Sequence, residues 1–270
     1  MRTRETTADA VVEEVLRSRR YRSVAKPTVE RLAQAALVSS GGDVQEAVKR
    51  TKRALHEAVG AFLPSPPPYE RLAAALDEAV AAGDEGAIRQ ALGRAMRFHA
   101  STQERLPVLE RFFAEVFALT GRPSDLLDVA CGLNPLAAPW MGLPPGAVYR
   151  ATDVDHALVG FVDHCLGALG VPHEVGVEDA LATPPQPADV ALLLKTVPCL
   201  ESQQKGSGYE LVAALPARVL VVSFPRRSLG GREKGMTQTY ARAFEERARE
   251  HGWSHDALRF PNELVYVVRR

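Results

Sequence analysis

A strand that ends near an acid and turns at once on a glycine constrains this chain more than any other feature. It is LLDVACGLNPLA, Leu126 to Ala137. The β-compatible run Leu126–Ala130 leads into Gly132, and a second such run, Ala147–Thr152, delivers Asp153 roughly 20 residues on. In an open α/β sheet, ligands bind in the crevice outside the carboxyl ends of the strands. Gly132 lets the backbone approach a ligand because no Cβ stands in the way. Asp153 is placed to accept hydrogen bonds from a ribose diol. The pattern is that of a nucleoside pocket.

The kind of nucleoside follows from what the turn lacks. A dinucleotide site calls for G-x-G-x-x-G with the pyrophosphate on a helix N-terminus. Here Gly132 is followed by Leu133-Asn134-Pro135, and no G-x-x-x-x-G-K-[ST] occurs anywhere. Asp128 would repel a phosphate, yet it suits the ammonium group of an amino acid. A cationic nucleoside without phosphates, such as S-adenosylmethionine, meets these conditions. An isolated D-x-x-x-G is equally well a buried strand with a turn glycine. Asp153 and the later Asp179, both near strand ends, favour the pocket.

The 270 residues supply enough apolar content for one large domain or two small ones. Lys and Arg number 33, and so do Asp and Glu, but the balance hides local clusters. Arg17, Arg19, Arg20, Arg22 and Lys26 have no acid among them; Lys49, Arg50, Lys52 and Arg53 form a second group; Arg226, Arg227, Arg232 and Lys234 form a third. Such clusters on a neutral protein suggest a polyanionic partner, although each alone is an ordinary solvated face. Cys131, Cys165 and Cys199 are too widely spaced for a disulfide framework, and His156, His164 and Cys165 lack zinc-ligand spacing. No metal is expected. There is no signal-peptide core and no membrane-length apolar run, so a cytoplasmic protein is expected.

Helical periodicity extends from residue 8 to about 120. Pro27 opens a helix that ends towards Gly41-Gly42, and Asp43 is an N-cap for Val44 to Phe62. Tyr69–Ala82 and a long stretch from Glu85 to Leu119 follow, the latter breaking near Ser101 or Pro107. After Pro123 the period changes. Leu126–Ala130, Ala147–Thr152, His173–Val177, Val190–Leu194, Arg218–Ser223 and Glu263–Arg269 are β-compatible and alternate with helices or loops. The expectation is a mostly parallel, Rossmann-like, nucleoside-binding α/β domain, 106–270, behind an N-terminal helical domain, 1–105.

Four segments carry a resemblance: HASTQERL (His99–Leu106), DVACGLNPLA (Asp128–Ala137), ALLLKTVPCLE (Ala191–Glu201) and SFPRRSLGGREKGM (Ser223–Met236). Together with ELVYVV at Glu263–Val268, they resemble the aminoglycoside-resistance 16S rRNA (guanine(1405)-N(7))-methyltransferases. The resemblance spans the chain. It implies methyl transfer from S-adenosylmethionine to N7 of guanine 1405 in the decoding site of the assembled 30S subunit, with resistance to gentamicin- and kanamycin-type aminoglycosides. The alternatives are a methyltransferase acting on another rRNA base and a non-catalytic rRNA-binding protein of the same fold. A monomer is expected.

The resemblance also implies roles. Gly132 and Asp153 belong to the cofactor pocket with Asp128; Asp179 and Ala180 would meet the adenine; Arg105 resembles the family arginine that pairs with the cofactor carboxylate, for which a guanidinium fork is suited. Lys195, after the fourth strand, would hold the target nucleotide. Arg227 and Arg232, in the loop after the fifth strand, would clamp it. Arg50, Lys52, Arg53, Arg226 and Lys234 would contact RNA. Phe224 is a stacking platform or core. Guanine N7 carries a free lone pair, so no Ser, His or Cys nucleophile is expected, and Cys131 and Cys199 read as small buried residues.

Overall fold

The structure is a computed structural model and describes residues 2–184, 186–226 and 236–270. Seven helices precede the first strand: α1 (Arg2–Leu16), α2 (Lys26–Ser39), α3 (Val44–Leu55), α4 (Tyr69–Ala81), α5 (Glu85–Met96), α6 (Ala100–Arg105) and α7 (Leu109–Thr120). The Asp43 carboxylate accepts from Glu46 N at 3.0 Å, so the expected cap is formed. The helix it starts does not run as an α-helix to Phe62. It ends at Leu55 and continues as a π-helical turn, His56–Gly60, where Arg20 Nη2 donates to Gly60 O at 2.7 Å. The long stretch after Glu85 breaks after Met96 and again at a 3-10 turn holding Pro107, because Pro has no N–H to continue the ladder.

The remainder alternates: β1 (Asp125–Val129), α8 (Ala138–Met141), β2 (Val148–Asp153), α9 (His156–Ala168), β3 (His173–Val177), β4 (Ala188–Leu194), α10 (Thr196–Gln203), α11 (Ser207–Ala214), β5 (Ala217–Pro225), α12 (Met236–Glu250), β6 (Ser254–Arg259) and β7 (Glu263–Arg269). The sheet order is β3-β2-β1-β4-β5-β7-β6. The first five strands are parallel; β7 runs antiparallel to both β5 and β6. This is the Rossmann-like arrangement expected. Strand β6 was absent from the sequence reading. It is an edge strand with no buried position, so its composition, SHDALR, shows no apolar alternation to find.

Alternate residues face opposite sides of the sheet. Val190, Leu192 and Leu194 join a core with α4, α5, α7 and α9. Ala191 and Leu193 join the other, with α10, α11 and α12. Burial on both faces is why β4 reads as a continuous apolar run. Phe224 is fully buried among Tyr240, Phe244 and Tyr266, which makes it core. A third core, around Val11, Val29, Leu32, Ala47 and Leu55, belongs to α1–α3. That helical group is tied to the end of β2 by backbone bonds: Ala25 N donates to Val154 O, and His156 N to Ser23 O, both at 2.8 Å. Ser23 Oγ adds a bond to Asp155 at 2.7 Å.

Among the described residues, no helix is long and apolar enough to cross a membrane. No group of three or more His, Cys, Asp or Glu is placed to hold a metal ion.

Candidate active site

The strands β1, β2 and β4 end side by side, and the chain leaves each through a strained or tightly bonded residue. Ala130 and Gly132 have positive φ (52° each), and so has Lys195 (62°). A non-glycine residue in this region costs about 1–2 kcal/mol, so it persists only where its surroundings hold it. For Lys195 the hold is visible: its N–H lies 3.0 Å from Ser223 Oγ and 3.2 Å from Ser223 O.

At the end of β2, Asp153 is oriented entirely by backbone. Gly132 N donates to Oδ2 at 2.9 Å, Val154 N to Oδ1 at 2.8 Å and Asp155 N to Oδ1 at 3.3 Å. Removal from water pushes its carboxyl up to about 6 despite these bonds. After β3, Asp179 Oδ1 accepts from Leu181 N at 3.0 Å. Its Oδ2 accepts from Arg31 Nε at 2.9 Å and Nη2 at 2.7 Å. Arg31 lies on α2, so the helical group reaches into this site. Asp153, Asp179, Ala180 and Lys195 line one cavity, together with Thr28, Arg31, Phe62 and His99.

Arg105, Asp128 and Gly132 are not on that lining. They belong to a polar network directly beside it. Asp128 is 1% exposed. Its Oδ2 accepts from Asn134 Nδ2 and Tyr149 Oη, each at 2.8 Å. Its Oδ1 has no partner. Burial is the largest influence on this carboxyl and pushes it up to about 7. Arg105 is also 1% exposed and grips Glu263 with a two-pronged fork, Nε–Oε2 3.0 Å and Nη2–Oε1 2.7 Å. Its Nη1 donates to Asn134 Oδ1 at 2.8 Å. Burial acts to raise the Glu263 carboxyl, but Arg105 and Lys195 outweigh it and hold the carboxyl below its ordinary value. Ser223 Oγ donates to Glu263 Oε1. Lys195 is 4% exposed, and its ammonium is bonded to Glu104 Oε2. Residues from HASTQERL, the Asn134 turn, the β4 end, the β5 end and the start of β7 thus meet in one hydrogen-bonded cluster.

His99 sits where a ligand was expected to approach Gly132. A Cβ at Gly132 would lie 2.6 Å from His99 Nε2. The ring stacks on Phe62 with centroids 5.6 Å apart. Burial, then Arg105 and Lys195, pull its pKa down to about 3, so the imidazole is neutral. Its Nδ1 is buried and unpartnered. Thr102 Oγ donates to Met96 O at 2.6 Å and closes the turn that presents His99.

The residues suit S-adenosylmethionine. A buried acceptor without a donor, Asp128 Oδ1, matches an ammonium group, which only donates. Asp153 is pre-aligned for a diol. Arg105 has five N–H donors and spends three on Glu263 and Asn134, so its fork is already committed and a ligand carboxylate would meet only the remaining two. The cysteines are free; burial pushes the Cys199 thiol up to about 12 and raises that of Cys131 well above its ordinary value. Neither is a thiolate at neutral pH.

The residues expected at the RNA surface are held by local ion pairs: Arg50 by Glu46 at 3.0 Å, Arg53 by Glu57 at 3.1 Å, and Lys52 by Glu14 at 3.8 Å. Arg226 turns inward, its Nη1 donating to Phe260 O at 2.9 Å. Arg227, Arg232 and Lys234 lie outside the described residues. Sequence reasoning missed Arg31, Thr28, Asn134, Glu104 and Glu263 as parts of the site. Glu104, Asn134 and Glu263 stand inside the segments that carried the resemblance, which was the available signal. Thr28 and Arg31 had none.

The family model described as "Ribosomal RNA methyltransferase (FmrO)" matches residues 17–267. A 16S rRNA (guanine(1405)-N(7))-methyltransferase of Micromonospora echinospora is 53% identical over 268 residues, covering 98% of each chain. One of Frankia casuarinae is 53% identical over 271 residues, covering 99% of this chain and 95% of that one. Among solved structures, the 16S rRNA methyltransferase RmtF in complex with S-adenosyl-L-homocysteine superposes with a TM-score of 0.85. It is 34% identical and covers 97% of this chain and 98% of its own.

Proposed function

The chain belongs to the ribosomal RNA methyltransferase (FmrO) family, and from that premise we propose that it methylates N7 of guanine 1405 in 16S rRNA with S-adenosylmethionine. The observation that carries the reading is the meeting of Asp153, Asp179 and Lys195 on one cavity at the carboxyl ends of β2, β3 and β4. We further propose that the substrate is the assembled 30S subunit at its decoding site, that the product ribosome resists gentamicin- and kanamycin-type aminoglycosides, and that the enzyme works as a cytoplasmic monomer. Residues 1–105 are the docking part and 106–270 the catalytic part.

When bound, S-adenosylmethionine supplies an electrophilic methyl on a sulfonium. What the protein adds is position and electrostatics. N7 presents its lone pair at neutral pH, so no side chain has to remove a proton. Asp153 accepts from the ribose hydroxyls, Asp179 with Ala180 takes the adenine edge, and Asp128 receives the ammonium. Arg105 would hold the cofactor carboxylate with the two N–H groups that Glu263 and Asn134 leave. Lys195, at the end of β4, would hold the target base; Glu104 neutralises its charge, so it would not oppose the positive charge that grows on the guanine. Arg227 and Arg232 clamp the nucleotide, and Arg50, Lys52, Arg53 and Lys234 meet phosphates. Holding donor and acceptor at reacting distance is the main source of acceleration in such a displacement. No cysteine takes part.

The test is incubation of purified protein with labelled S-adenosylmethionine and unmodified 30S subunits, followed by reductive cleavage and primer extension. Label at guanine 1405 with a cleavable N7-methyl is the expected result. Label at another base would overturn the site, and cofactor binding without any transfer would overturn the substrate.

A further inference from the structure

Helix α2 belongs to the N-terminal helical group, yet its first turns face the cavity. The chain entering it is pinned to the β2 end, where Ala25 N bonds Val154 O at 2.8 Å. Thr28 and Arg31 follow, three residues apart and therefore on one face of the helix; both line the cavity with Asp153 and Asp179. Thr28 is 4% exposed, and its hydroxyl has no hydrogen-bond partner among the described residues. A buried hydroxyl without a partner costs free energy. This one is kept unsatisfied beside the loop that follows Asp153. Arg31 does the opposite: its fork closes on Asp179 Oδ2, at 2.9 and 2.7 Å. It also bonds Gln203 Oε1, at 2.9 Å.

The geometry points to α2 as a cofactor-binding element: Thr28 hydrogen-bonds the ribose, and Arg31 positions Asp179 for the adenine amino group. This rests on the cofactor reading above. Thr28 supplies a direct contact from outside the sheet. Arg31 acts through Asp179: by occupying one lobe of the carboxylate, it fixes the direction of the lone pairs left for the exocyclic amine. The nucleoside end of the site is then built by two parts of the chain, and the helical group that docks on the subunit also sets cofactor affinity and base preference.

Calorimetric titration of the full chain with S-adenosylhomocysteine and with S-inosylhomocysteine tests this, because the inosine analogue lacks the amine. Wild-type protein should prefer the adenine ligand. Thr28→Val should weaken S-adenosylhomocysteine about fivefold, the value of one ordinary hydrogen bond, and Thr28→Ser should restore it. Arg31→Met should shrink the ratio between the two ligands, as Asp179→Asn does, and should shrink it no further in the double variant. General loosening of the fold would weaken both ligands equally and leave the ratio alone. Melting curves check folding; should Arg31→Met not fold, Arg31→Lys, which keeps the charge and loses the fork, reads the same ratio. If wild type binds and Asp153→Ala does not, while Thr28→Val and the Arg31 variants bind with wild-type affinity and ratio, the role of α2 is overturned. If wild type binds neither ligand, the cofactor reading itself fails.

Discussion

Gly132 N donates to Asp153 Oδ2 at 2.9 Å, so the glycine of the first turn aims the acid of the second strand. Gly132 also makes room for His99, whose Nε2 would lie 2.6 Å from any Cβ placed there. The glycine is therefore required twice over: by its φ of 52° and by the ring above it. Replacement by alanine is expected to cost about 1–2 kcal/mol in backbone strain before His99 shifts. Asp153→Ala should stay folded with a lowered denaturation midpoint, because three backbone N–H groups lose their acceptor, and should abolish S-adenosylhomocysteine binding. Calorimetry on the folded variant checks it, and unchanged affinity would refute the ribose role.

Asp128 and Asp153 make binding and stability depend on pH in opposite senses. Both carboxyls are raised, to about 7 and about 6, chiefly by burial. A raised carboxyl binds more protons in the folded state than in the unfolded one. Its contribution to stability is therefore complete below the unfolded value near 4 and is lost as pH rises through 6 to 7. An ammonium ligand favours the ionised Asp128, so cofactor affinity should rise over the same interval and binding should release protons. Titrations near pH 6.5 in buffers of different ionisation enthalpy measure that release. Asp128→Asn should remove the part centred near 7; persistence of the full release would place the titration elsewhere.

The Arg105–Glu263 pair is buried on both sides. Arg105→Ala strands a carboxylate and should destabilise the protein by about 3–5 kcal/mol, whereas replacing both partners by Met and Leu should cost far less. Urea unfolding separates the two cases. The double variant then isolates the ligand role: if Arg105 reaches the cofactor carboxylate, the folded double variant binds S-adenosylhomocysteine weakly, and wild-type affinity would assign Arg105 to the network alone.

Arg50 and Arg53 are exposed and spend their charge on acids one helical turn away. Such pairs are worth about 0.3–0.5 kcal/mol, little enough for phosphate to displace. Arg50→Glu with Arg53→Glu should weaken 30S binding, flatten its salt dependence and leave cofactor affinity unchanged. Undiminished subunit binding at low salt would show that α3 does not dock.

The helical periods, the Asp43 cap, the alternating strands and the Asp153 and Asp179 positions were legible because each is a local pattern. A helix face, a cap or a strand end needs only a few neighbouring residues to declare itself. Edge strand β6 escaped because one neighbour and water on the other side impose no apolar code on SHDALR. Phe224 was undecided because a strand-end aromatic carries no local sign of what covers it; Tyr240, Phe244 and Tyr266 do so from 16 to 42 residues away.

Sequence alone assigned the architecture, the nucleoside pocket and, through whole segments of resemblance, the family. Folding assigned the partners. Arg31 meets Asp179 148 residues away, Arg105 meets Glu263 158 residues away, and Lys195 meets Glu104 91 residues away. A charge in a sequence does not state whether it will face water or another charge; that depends on which strand ends the sheet order sets side by side. Excluding water from those ends makes each buried charge require a specific partner, and it leaves Thr28, His99 and Asp128 each with a buried polar atom that none of the described residues satisfies.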